Sequence, residues 1–168
     1  MSCVPYDVLT KAEARQYVVD NKLSFLRVTR PKSDFAKGEV PAWPLVVERA
    51  KENLREFVDR AVLERDADDA IYVYRLSRDE HSQTGIVACL AIDEYENGLI
   101  KKHENVRPEK INERLAHIVE LRAQTGLIFT AFRGTAELRR LTDAAVRDQA
   151  IYDYVARSEE HTSELQSH

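Results

Sequence analysis

Between residues 44 and 63, Val47, Ala50, Leu54, Phe57, Val58 and Ala61 trace an apolar stripe at helical spacing, and Pro44 suits a first turn. This segment predicts an amphipathic helix. Upstream, Thr10 and Glu13 form a Thr-x-x-Glu capping box, and Ala14, Tyr17 and Val18 continue at helical spacing to Asn21, predicting a short first helix. Residues 23–28 (LSFLRV) are a compact apolar run stopped at Pro31 and predict a strand. Residues 70–76 (AIYVYRL) and 84–92 (TGIVACLAI) are rich in β-branched and aromatic side chains, and the polar linker 77–82 predicts an antiparallel hairpin. Glu96-Asn97-Gly98 marks a turn, with a short strand expected over residues 99–102.

Pro108 suits the start of a third helix whose apolar face is Ile111, Leu115, Ile118 and Val119, with Gly126 as its stop. Residues 127–132 (LIFTAF) predict a strand, and Leu138, Leu141, Ala145 and Gln149 a fourth helix ending in Tyr152 and Tyr154. Helices and strands mix without regular alternation. The class expected is therefore α+β, a mixed, mainly antiparallel sheet with flanking helices.

Composition narrows the function classes. With 168 residues, 43% hydrophobic and 32% charged, the chain can bury a core, and one domain is the expected count. The longest apolar run, residues 86–92, falls far short of the ~20 residues of a membrane helix, and residues 1–7 lack a basic region followed by an apolar stretch. A cytoplasmic protein without a membrane partner is expected. Cys3 and Cys89 are too few for a disulfide framework, and Cys89 is expected to be buried and inert in its strand. A net charge of -4 and a pI near 5.8 argue against a broad nucleic-acid surface, so any anion site is local.

Several separate motifs then occur in one order: Val4-Pro5-Tyr6-Asp7-Val8-Leu9; residues 23–31 (LSFLRVTRP); Ile71-Tyr72-Val73-Tyr74-Arg75; His81-Ser82-Gln83-Thr84-Gly85; Lys101-Lys102-His103-Glu104; Arg107-Pro108 with Lys110, Arg114 and His117; and Gln124-Thr125-Gly126. Together they resemble the prokaryotic family called domain of unknown function 1015. The chain departs from the family pattern after residue 105, where Val106 stands for a usual threonine, Glu109 for an aspartate and Ile111-Asn112-Glu113 for a strongly acidic triplet. Family members are longer, and their second half carries an Asp-Gly-His-His-Arg motif shared with ParB-like free-serine kinases. That motif is absent from these residues. The resemblance therefore implies that residues 1–156 are the N-terminal part of such a domain, incomplete and inactive without its C-terminal half. Residues 157–168 (RSEEHTSELQSH) resemble a translated sequencing adapter or a polar disordered tail.

The same resemblance implies nucleotide-dependent phosphoryl transfer to a small hydroxylated metabolite, with ATP or ADP and magnesium. In the serine kinases a His-Glu dipeptide before a helix supplies the base, and residues 101–108 look like that element. Glu104 would accept the hydroxyl proton, Lys101, Lys102 and Arg107 would meet phosphate oxygens, and the helix start would offer free N–H groups. His103 and His117 would orient the acceptor or nucleotide. Arg107, Lys110, Arg114 and His117, at steps of three, four and three, form one cationic stripe. His81 and Gln83, in the hairpin connection, are further ligand-binding candidates. A solvated basic face and a satisfied helix histidine would explain many of the same residues.

No metal site is expected: His81, His103 and His117 lack helical i, i+4 spacing. Neither Cys89 nor Ser82 has the setting of a nucleophile, and no Gly-rich phosphate loop occurs. The other function class consistent with these residues is a non-catalytic nucleotide- or metabolite-binding regulatory module.

Overall fold

Thr10 starts helix α1 (Lys11–Asp20) through the expected capping box: its hydroxyl accepts from Glu13 N at 3.3 Å while Glu13 Oε2 accepts from Thr10 N at 2.7 Å. The structure, a computed structural model, describes residues 9–102 and 108–153, without the side chains of Glu109 and Lys110. Within these residues the chain forms two compact units, one from residues 9–64 and 108–128, the other from 65–102 and 129–153.

In the first unit, the strand expected over residues 23–28 is instead a helical segment, α2 (Leu26–Thr29), followed by a 3-10 turn over Pro31–Asp34. The reason is local. Ser24 nucleates a helical turn, its hydroxyl accepting from Leu26 N at 3.3 Å and its carbonyl from Arg27 N at 3.1 Å. A six-residue apolar run carries no periodicity that separates these outcomes. Helix α3 (Trp43–Asp59) has Pro44 in its first turn, as expected, and buries Val46, Val47, Ala50, Asn53 and Phe57. It stops before residue 63 because Ala61 turns left-handed at φ 51°, and Phe57 O then accepts from Val62 N and Leu63 N. Val58, assigned to the stripe, is exposed.

Helix α4 (Ile92–Glu96) belongs to the second unit, and helix α5 (Pro108–Leu121) packs against α3 in the first. α5 ends five residues before Gly126, where Arg122 adopts φ 50°. Val28, Val47, Ala50, Phe57 and Leu121 make the core, with Phe25, Trp43, Leu54, Val62, Leu63 and Ala123 around it.

The second unit holds the predicted hairpin. Strands β1 (Tyr72–Arg78) and β2 (His81–Val87) pair antiparallel from Tyr72↔Val87 to Arg78↔His81. Most of the expected linker therefore lies in the ladder, leaving Asp79-Glu80 as the connection with Asp79 at φ 53°. Residues 88–92, expected to extend the second strand, leave it and enter α4, and Gly98 closes the following turn at φ 72°. Cys89 is consequently exposed rather than buried.

Helix α6 (Ala136–Ala145) is capped by Thr135, whose hydroxyl accepts from Leu138 N at 3.1 Å. It ends before Gln149 and Tyr152. Residues 99–102 and 127–132 are not strands, since neither joins the ladder, and an apolar run without a pairing partner satisfies no backbone groups as strand. The class is α+β: helices with a two-stranded antiparallel sheet among the described residues. No helix of the described residues is long and apolar enough to cross a membrane.

Candidate functional site

The segment expected to carry chemistry is partly described. His103, Glu104 and Arg107 lie outside the described residues, as does the Lys110 side chain. Lys101 and Lys102 follow α4 in the second unit, both exposed, and the Lys102 ammonium stands 4.8 Å from the Tyr95 ring centroid, a cation–π distance. Arg114 and His117 lie one turn apart on α5, in the first unit. The two-residue period of β2 puts His81 and Gln83 on one face of the hairpin, beside Arg78 and Leu76, both exposed.

His117 differs from the other candidates. Its ring is buried, with Nε2 2.9 Å from Val28 O and Nδ1 3.5 Å from Thr125 Oγ1. A carbonyl only accepts, so the proton sits on Nε2 and the Thr125 hydroxyl donates to Nδ1. Burial lowers the pKa from its ordinary 6.5, opposed by the Val28 bond and reinforced by the Arg114 charge, so the ring is held neutral. It thereby joins α5 to α2.

A polar network absent from the sequence expectations lies in the same unit. Asn53, 2% exposed on α3, accepts from Arg27 Nη2 at 2.8 Å and donates to Arg27 O and Asp34 Oδ2, both at 2.8 Å. Arg27 Nε lies 3.2 Å from both Asp34 oxygens, and its Nη1 donates to Lys22 O at 3.1 Å and Glu56 Oε2 at 3.3 Å. The guanidinium also stands over Phe57 at 5.9 Å. A hydrogen bond from Arg60 lowers the Glu56 pKa, with the Arg27 charge adding to it and burial opposing. The signal that could have found this network is a single polar residue, Asn53, between Ala50 and Phe57 on an apolar face.

In the second unit, the Tyr72 hydroxyl donates to Asp66, which raises the Tyr72 pKa. Among the described residues no group of three His, Cys, Asp or Glu side chains is placed to hold a metal ion. No curated protein and no solved structure matches the chain. The family model described as Protein of unknown function (DUF1015) does, over residues 1–166, and with so nearly complete a match the chain belongs to that family.

Proposed function

We propose that this protein takes part in nucleotide-dependent phosphoryl transfer to the hydroxyl of a small metabolite, as a ParB-like phosphotransferase acting in the cytoplasm. The observation that carries this reading is the succession Lys101-Lys102-His103-Glu104 immediately before α5, which opens at Pro108. Transfer to a hydroxyl needs a proton acceptor and fixed positive charge around the phosphates, and this stretch offers both beside a helix start. Glu104 takes the proton as the hydroxyl oxygen attacks the terminal phosphorus, and the bond to the nucleotide leaving oxygen breaks. Lys101, Lys102 and Arg107 hold phosphate oxygens, and His103 orients the acceptor. Lys110 and Arg114 on the first unit, and His81 and Gln83 on the second, are the further candidates for ligand contact. Magnesium, which offsets phosphate charge, would accompany ATP or ADP.

A second reading is a non-catalytic nucleotide- or metabolite-binding regulatory module. The burial of His117, engaged at both ring nitrogens, takes that group out of ligand contact under either reading. Glu104→Gln in the full-length protein separates the two. Under phosphoryl transfer, turnover falls by about 10²–10⁴ with nucleotide affinity nearly unchanged, the range for loss of a general base. Turnover that survives the change sinks the mechanism, and nucleotide binding without turnover in the unaltered protein selects the module.

A further inference from the structure

Between the end of α1, the 3-10 turn and α3 lies a cleft of about 550 Å³, within the range of ~300–1,000 Å³ typical of small-ligand sites. Its polar walls include Lys22, Arg27, Arg49 and Arg60 against the carboxylates Asp34 and Glu56, and with Glu52 Oε2 3.2 Å from Arg49 Nε the formal excess is one positive charge. Arg49, Glu56 and Arg60 recur at steps of seven and four along and just past α3, so one helix face supplies three of the six.

Two of the four cations are committed. Arg27 is held by Asp34, Glu56 and Asn53, and Arg60 Nη1 donates to Glu56 Oε1 at 2.6 Å. Lys22 and Arg49 are engaged less completely. Among the described residues no carboxylate lies within ion-pair distance of the Lys22 ammonium, and Arg49 Nε is a buried donor without a hydrogen-bond acceptor. Glu52 Oε2 is 3.2 Å from Arg49 Nε, an ion-pair distance, but the alignment of a hydrogen bond is missing. The Arg49 guanidinium is steadied at 5.5 Å over the Phe35 ring, which limits its freedom to turn towards another acceptor. The Arg49 side chain as a whole is 43% exposed, so an acceptor from solution can reach its guanidinium.

We propose that this cleft binds a phosphate dianion, free or as the monoester of a small metabolite. The cationic excess attracts such a group, its oxygens supply the acceptor that Arg49 Nε lacks, and Lys22 closes the site from the exposed rim. Arg27 and the carboxylates form the rigid floor. None of these residues belongs to the phosphoryl-transfer set, so the site stands or falls separately from that reading.

Equilibrium dialysis of the full chain against radiolabelled orthophosphate, at constant ionic strength, tests it. One saturable equivalent per chain is expected, weakened about tenfold or more by Arg49→Gln and by Lys22→Gln, as for loss of a charge-assisted hydrogen bond or a charge. Lys22 is exposed, so its variant leaves the core intact, and far-UV circular dichroism verifies both folds. Arg139→Gln, in the arginine cluster of α6, should leave binding unchanged. Displacement by glycerol 3-phosphate at lower concentration than by unlabelled phosphate identifies the monoester, and equal displacement identifies the free ion. Absence of saturable binding, wild-type affinity in Arg49→Gln, or an equal loss in Arg139→Gln would overturn the assignment.

Discussion

Replacing Asn53 with leucine sets helical patterning against the observed packing. On the α3 stripe a leucine at this position looks favourable, since burying its side chain contributes about 1.5–3 kcal/mol. The structure gives the opposite sign. Asn53→Leu would remove three hydrogen bonds of 2.8 Å, one from the Arg27 guanidinium, one to Asp34 and one to the Arg27 carbonyl. The two with charged partners are worth about 1.5–3 kcal/mol each and the third about 1 kcal/mol. Asp34 keeps its contact with Arg27, which places the loss in the lower part of that range. Set against the apolar gain, the net expectation is destabilisation by about 1–4 kcal/mol, a large fraction of a typical domain's stability. Urea unfolding at neutral pH, followed by far-UV circular dichroism and by Trp43, the single tryptophan, measures it. Asn53→Ala serves as a control lacking the added apolar bulk. A leucine variant as stable as the parent would refute the claim that this network outweighs hydrophobic burial.

Two further outcomes are expected. Because burial lowers the His117 pKa below 6.5, the unfolded chain takes up a proton that the folded chain refuses. Stability is therefore full above that pH, declines as pH falls through 6.5 towards the lowered folded value, and then levels, with a slope of at most about 1.4 kcal/mol per pH unit. His117→Gln should flatten the urea midpoint across this window, and an unchanged slope would show that other groups set the acid limb. Thr10→Ala removes the hydroxyl of the α1 capping box and should lower stability by about 1 kcal/mol in the same assay; no measurable drop would mean the cap is redundant.

The elements legible from residues alone are those with strong local signals. Thr10 and Glu13 announce α1, Pro44 and the stripe through Phe57 announce α3, and Pro108 announces α5. The hairpin was legible too, because two β-rich runs flank a short polar connection. Two of the failures share a source. Residues 23–28 and 127–132 are short apolar runs whose state depends on whether a strand partner exists, and no six-residue segment contains that information. Among the site residues, the sequence supplied Lys101 and Lys102 with their charge, but not the Tyr95 ring beside Lys102.

What the sequence determined by itself was local: the α1 capping box, the α3 stripe as far as Phe57, the Asn97-Gly98 turn and the family, because these signals act within one or two turns of the chain or lie in the order of short motifs; the face expected of α5 failed, with Ile111, Leu115 and Val119 exposed. The tertiary structure alone decided which buried polar groups meet. Val28 O finds His117 across 89 residues, and Arg27 finds Asn53 across 26. Such pairings follow from the way α2, α3 and α5 pack, and a buried hydrogen-bonding group must take whichever partner that packing presents.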